Sequence, residues 1–214
     1  ASYHTPPTVV AALFSALLTK VGAYALIRVF TLVFSHDIGW THPVILALAG
    51  VTMLTGVLGA ASKYDFPKIL AFHIVSQIGY IVMGLGLFSA MGLAGAVFFM
   101  VHNIVVKTNL FLVAGIARRL TGETHLDRLG GLCRARPWLA ACFFVSAMSL
   151  AGLPPFSGFF GKLALLVAAA RTGHWTVFTV AVVVRFLTLY SMTKIWTHAF
   201  WKPAPEGMHD PAPG

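Results

Sequence analysis

The sequence predicts an all-α integral membrane fold of six transmembrane helices, one of them broken. Two observations carry the class and a third carries the break. Hydrophobic residues make up 58% of the 214, charged residues only 10%, and mean hydropathy is +0.84, well outside the range of soluble domains. The apolar residues fall in runs near the length of about 17 to 25 residues that crosses a bilayer. In the fifth run, apolar from Trp138 to Ala170, the stretch GLPPFSGFFGKLALL (152–166) places two prolines, three glycines and a lysine where a plain membrane helix would carry none.

The expected spans are 8–34, 43–61, 69–88, 93–117, 138–169 and 175–200, forming one membrane domain over residues 1–214, with 201–214 as a proline-rich loop or tail. Pro6-Pro7, Gly39, Pro43, Pro67, Gly92, Pro137 and Gly173 punctuate the ends, as residues that enter or leave helices do. The opening ASYHTPP is polar, lacks an initiator Met and reads as a mid-chain loop, so the chain is expected to be a fragment of a longer protein. The fifth run is the exception in length: about 32 residues at 1.5 Å each overshoot a 30 Å core. Pro154 and Pro155 remove backbone donors, and Gly152, Gly158 and Gly161 let the chain turn, so the break is expected near 152–161. Freed backbone groups are tolerated at membrane depth only when buried in protein or lining a watery cavity, which is the usage of transporters. The break is therefore expected to set Lys162 beside a hydrated gap.

Charge orients the bundle. Lys63, Lys68, Arg118, Arg119, Arg128, Arg134, Arg136 and Lys202 lie in the loops of one side, and only Arg171 lies in those of the other. The positive-inside rule then makes loops 62–68 and 118–137 cytoplasmic. Trp40, Trp138, Trp175 and Trp201 fall near span ends, where interfacial anchors belong. The formal charge of +9 is accounted for by these loops and by cations inside the spans, which argues against nucleic acid as a partner. Cys133 and Cys142 have no CxxC or histidine spacing, so they indicate neither a disulfide framework nor a metal site. No cofactor motif or catalytic constellation is legible.

Three cations lie deep in apolar runs: Lys20 in the first, Lys107 in the fourth and Lys162 just past the break. A charge at the bilayer centre costs about 2.5 to 3.5 kcal/mol on insertion scales, so such residues face the bundle interior and commonly mark an ion path. Lysine, unlike arginine, can give up its proton once desolvated. The structural alternative for each is snorkelling to a headgroup or capping a carbonyl at a break. Lys194 and Arg185 fit that alternative better, Lys194 mainly by snorkelling. The acidic residues Asp37, Asp65, Glu123, Asp127, Glu206 and Asp210 all fall outside the spans, leaving the lysines without an acidic partner in this chain. His102 stands close enough to Lys107 to be joined to it through one water, and beside Asn103 both a relay and a structural role stay open. His73, with Ser76 and Gln77 a turn away, forms a polar patch for which helix–helix hydrogen bonding is the favoured reading.

The segments ALLTKVGAYALIRVF, DFPKILAFHIVSQIGYIVMGLGLF, HNIVVKTNLFLVAGIARRLTG and LAGLPPFSGFFGKLALL together resemble the antiporter-like membrane subunits. That superfamily is shared by Mrp-type multisubunit Na+/H+ antiporters, respiratory complex I and membrane-bound hydrogenases. Within it, HIVSQIGYIVMGLGLF and LPPFSGFFGK are most similar to the D-type subunits of Mrp antiporters. The resemblance implies about fourteen helices in two inverted five-helix repeats, each with a broken helix, and assigns this chain to helices 8 to 13. By matching position it implies that Lys20 is the helix 8 lysine of the central hydrophilic axis. Lys107 would be the helix 11 lysine that continues the axis, and Lys162 the lysine of broken helix 12 near the exit side. Lys68 matches a basic residue at the start of helix 10. Asn103 stands where related subunits often have a histidine, with His102 adjacent. The implied function is proton conduction, by buried lysines and water, in an Na+ or K+/H+ antiporter in a bacterial inner membrane, with other antiporter subunits and lipid as partners. The alternatives are a proton-pumping subunit of a quinone oxidoreductase or hydrogenase and a purely structural anchor.

Overall fold

The computed structural model describes residues 8–34 and 38–203; Asp37 and the tail acids Glu206 and Asp210 lie outside them. Among the described residues the regular structure is helical, apart from one isolated bridge between Asp65 and His125. The helices are α1 (Thr8–Leu13), α2 (Thr19–Leu32), α3 (Ile38–Ser62), α4 (Phe66–Gly86), α5 (Ala90–Thr121), α6 (Leu132–Ala135), α7 (Pro137–Ala151), α8 (Ser157–Arg171) and α9 (Trp175–Ile195). A π-helical turn at Phe14–Leu18 joins α1 to α2, and another at Trp196–Trp201 prolongs α9.

Local signals explain most ends. Asp65 caps α4: its carboxylate accepts from the Lys68 amide at 3.1 Å and from the Thr124 hydroxyl at 2.8 Å, with Pro67 in the first turn where no donor is needed. Ser89 caps α5 through the Gly92 amide, and left-handed Gly122 closes it. Pro137 opens α7. Pro43 does not mark an end. It lies inside α3, which starts at Ile38, beyond the first four amides that lack a partner, so the helix gives up one ladder bond, that to the Gly39 carbonyl. Replacing Asp65 with alanine is expected to cost about 1 to 2 kcal/mol, the scale of a lost N-cap, read as a lower unfolding temperature in detergent; Asp65→Asn should recover most of it.

α4 is the most enclosed span and packs against α2, α3, α5, α8 and α9. Its seam with α3 is made by small residues. A Cβ on Gly56 would fall on the backbone of Ser76, and one on Gly79 would meet the Ala49 carbonyl and Met53 amide at 2.9 Å. The two backbones are thus in direct contact, the approach that membrane helices use where lipid offers no hydrophobic drive to associate. Two apolar clusters fill the interior, one around Phe66, Leu70, Phe143 and Phe200 toward the end with the basic loops, the other around Met53, Tyr80, Phe99 and Val184. The polar residues treated next lie between and beside them.

Candidate functional site: a row of buried lysines

The fifth run is two helices of 15 residues each, about 22 Å apiece at 1.5 Å per residue and so too short to cross singly. The break between them is built from its sequence. Gly152 takes a left-handed conformation (φ 83°) and its amide closes on Met148 and Ser149, ending α7. A cis Pro154-Pro155 bond follows, and α8 restarts at Ser157. Gly158 packs so tightly that a Cβ there would fall on the Ser149 carbonyl and lie 2.8 Å from Nε2 of His102.

The carbonyls freed by the break are taken by cations. Lys162 Nζ donates to the Leu150 carbonyl at 2.8 Å and approaches that of Ala151 at 3.5 Å. The Arg185 guanidinium, from α9, donates to the Gly152 carbonyl and lies over the Phe159 ring, 5.3 Å from its centroid. The Leu150 and Gly152 carbonyls at the end of α7 are therefore engaged. Lys162 is fully buried, with its ammonium 4.8 Å from the Tyr80 ring centre and 5.7 Å from that of Phe99, a geometry in which ring faces attract a cation. Tyr80 is itself held by a hydrogen bond from its hydroxyl to the Ala181 carbonyl at 2.5 Å.

Lys107 is fully buried on α5 and donates to the Leu70 carbonyl of α4 at 3.3 Å. Lys20, 4% exposed, donates to the Ser15 carbonyl at 2.5 Å, and the Thr19 hydroxyl lies 3.4 Å from the same oxygen. Ser15 sits in the π turn, which is the kind of irregularity often found at functional positions. By sequence, 8–34 reads as one unbroken span; FSALL contains no proline or glycine, and a π turn has no composition of its own.

The packing of the helices brings these groups into a row: Lys20, Lys107 and Lys162 stand on α2, α5 and α8, each of which packs against α4, the helix that carries His73. No aspartate or glutamate lies within the described transmembrane helices.

His73 and His102 are placed differently from one another. His73, fully buried, bonds through Nε2 to Ser191 Oγ of α9 at 3.0 Å, and Ser76 donates to the Met53 carbonyl of α3 at 3.1 Å, so this patch does join helices. His102 does not turn to Lys107. Its Nδ1 lies 2.9 Å from Ser157 Oγ at the start of α8 and its ring stacks on Phe99, docking α5 to the break. Asn103 donates to the Phe99 carbonyl at 2.8 Å. Nδ1 of His73, the Gln77 amide, Nε2 of His102 and Oδ1 of Asn103 are buried without a protein partner among the described residues, an unusual concentration for an interior in which buried polar atoms are normally bonded.

Lys68 is exposed at the start of α4, apart from the row. Lys194 does not snorkel: its ammonium donates to the Ala61 and Lys63 carbonyls at 2.9 and 2.7 Å, closing the end of α3, and sits 3.7 Å from the Tyr64 ring centre. Ser157, Ser191 and Tyr80 were not legible as site residues, because each owes its place to a partner more than 50 positions away.

Residues 1–188 match the family described as NADH:quinone oxidoreductase/Mrp antiporter, TM. The chain is 55% identical over 200 residues to the D subunit of the Na(+)/H(+) antiporter of Alkalihalophilus pseudofirmus, covering 94% of this chain and 41% of that protein. It is 40% identical over 216 residues to the corresponding D subunit of the Na(+)/H(+) antiporter of Bacillus subtilis, covering 100% of this chain and 44% of that protein. It thus spans less than half the length of these relatives. Among solved structures it superposes on a chain of the Mrp complex from Dietzia sp. DQ12-45-1b with a TM-score of 0.90 at 44% identity, covering 100% of this chain and 41% of that one. On a chain of respiratory complex I from Thermus thermophilus the TM-score is 0.85 at 28% identity, covering 95% of this chain and 43% of that one. In sequence and in fold, the chain belongs to the NADH:quinone oxidoreductase/Mrp antiporter transmembrane family.

Proposed function

We propose that this chain is part of a proton-conducting subunit of a multisubunit monovalent cation/H+ antiporter in a bacterial inner membrane, working with the complex's other subunits. Protons move along Lys20, Lys107 and Lys162, coupled to Na+ or K+ moving the other way. The observation that carries the reading is three buried lysines on three helices, each held by a backbone carbonyl and none by a carboxylate within the described spans. A carbonyl accepts a hydrogen bond from an ammonium or from a neutral amine, so it holds the side chain in place without neutralising its charge. The charge of each lysine then bears on its neighbours, and the row titrates as a coupled set in which a proton arriving at Lys107 favours release from Lys162. The unpartnered atoms of His73, Gln77, His102 and Asn103 offer water the several polar contacts that buried water needs. The names of the Na(+)/H(+) antiporter relatives support the antiporter class.

The test uses everted membrane vesicles from antiporter-deficient cells carrying the full-length parent chain with all its partner subunits, energised by respiration and followed with a pH-sensitive dye. Addition of Na+ or K+ is expected to collapse the gradient, and Lys20→Ala is expected to abolish that response with the complex still assembled. Likeness to the complex I chain favours a second reading, a redox-driven pump. No response to either cation, together with proton pumping that requires the complex's own electron donor, would select it.

A further inference from the structure

At the end of the bundle that carries the basic loops, residues 122–131 cross beneath α4 and α9. Backbone hydrogen bonds pin this crossing: Phe66 amide to Thr124 carbonyl at 3.0 Å, Leu126 amide to Tyr64 carbonyl at 2.7 Å, and Gly131 amide to Lys202 carbonyl at 2.6 Å. The crossing sets the Asp127 carboxylate between two imidazoles. His125 Nδ1 is 3.6 Å from one of its oxygens and His198 Nε2 is 3.9 Å from the other. The side chains remain open to solvent, 49% exposed for His125, 58% for Asp127 and 31% for His198. His198 Nδ1 lies 2.9 Å from the Lys194 carbonyl oxygen. That oxygen can only accept, so Nδ1 carries its hydrogen and Nε2 is the nitrogen left facing Asp127.

A line of polar groups leads inward from there. The Lys194 ammonium lies against Tyr64, whose ring stacks with His125 and meets His198 edge-on, each at 6.4 Å between centroids. Ser191 is three residues before Lys194 on α9, about one helical turn further into the bundle. Ser191 Oγ bonds to His73 Nε2, and His73 stands three residues after Leu70 on α4, the residue whose carbonyl accepts from Lys107.

We infer that His125, Asp127 and His198 form a proton-exchange site between the cytoplasmic water and the lysine row, reached through Lys194 and the Ser191–His73 pair. The inference rests on the proton-conducting reading of that row. The charged and titratable groups beside the site are Tyr64 and Asp65 ahead of α4, Lys194 on α9, Lys202 with its ammonium 3.4 Å from the Asp127 carbonyl, and the Glu123–Arg128 pair at 3.2 Å, while the Lys63 ammonium lies over the Phe72 ring, 6.0 Å from its centroid. In each turn one proton passes between His198 Nε2 and a bath water or buffer molecule, and one passes inward or outward along the line, so the site returns to its starting charge.

The test is radiolabelled Na+ uptake into everted vesicles holding the full parent complex, where the cytoplasmic face meets the bath. The variants are Asp127→Asn with His198→Gln, and the same pair with His125→Gln; the amides keep hydrogen-bonding capacity while removing titration. In weakly buffered medium, uptake is expected to fall about tenfold or more, within the range that a positioned proton-transfer group contributes. The membrane-impermeant imidazole dipeptide carnosine in the bath is expected to restore it to within about twofold of wild type by replacing the lost groups as a mobile proton carrier. Unchanged uptake, or a loss that carnosine leaves untouched at every pH, would show the cluster to be a structural clasp and overturn the inference. Wild-type vesicles that take up no cation but pump protons with an electron donor overturn the antiport reading instead. The same carnosine titration on that pumping rate then decides the exchange site.

Discussion

Lys162→Met in the full parent complex is expected to lower cation-driven proton exchange by about 100-fold, the scale on which a positioned proton-transfer group acts. The reason is the double duty of the ammonium. It satisfies the Leu150 carbonyl at the break and approaches that of Ala151, beside the Gly152 carbonyl taken by Arg185, and it is the proposed proton carrier of that helix. Methionine fills the space but leaves the Leu150 carbonyl without its donor, at a cost of about 1 to 3 kcal/mol. Stability and transport would then fall together, and the variant alone would not separate the two roles. Lys162→Arg separates them. A guanidinium donates to the same carbonyls but does not release its proton, so the expected result is a complex that melts near the wild-type temperature and still exchanges no protons. Exchange retained by the arginine variant would reduce Lys162 to a cap.

Gly158→Ala is the second large effect, and it is structural in origin. The new Cβ would fall on the Ser149 carbonyl and lie 2.8 Å from His102 Nε2, so α8 must move away from α7, and the His102 ring must shift as well. Overpacking of this kind costs about 1 to 3 kcal/mol. Here it is concentrated where α5, α7 and α8 meet, and the expected outcome is a lower melting temperature of the purified complex together with loss of exchange. Ser157→Ala removes the hydroxyl that holds His102 without adding an atom and should lower the melting temperature far less. Equal destabilisation by the two substitutions would assign the effect to the His102–Ser157 bond rather than to the backbone approach at Gly158.

The parts of this molecule that were legible in its sequence depend on composition within one segment. The apolar runs, the break at Pro154-Pro155 and the depth of Lys20, Lys107 and Lys162 are of that kind, because a run, a missing amide and a charge in hydrocarbon carry their energies locally. The partners were not legible. Lys107 meets the Leu70 carbonyl on another helix, and Lys194 reaches back to Ala61 and Lys63. A lysine near a span end carries no sign of whether lipid headgroups or a helix terminus will satisfy it. His102 shows the same limit. Sequence proximity points it to Lys107, whereas its ring faces α8 and its nearest polar partner is Ser157. The π turn at 14–18 left no trace at all, since its residues are those of any apolar helix.

The contact between α3 and α4 constrains how the bundle can move. Where side chains interdigitate, neighbouring helices can slide by switching rotamers, which is how shear motions are accommodated. At Gly56 and Gly79 there are no side chains to switch, and the backbones themselves touch. These two helices therefore form a stator. At the break the restraint is mixed: Gly158 presses α8 onto the Ser149 carbonyl as closely as α3 presses on α4, while the ends of α7 and α8 are held by the side chains of Lys162 and Arg185 rather than by continuous helix. Loss of either cation would therefore free a carbonyl at the break without loosening the α3–α4 seam.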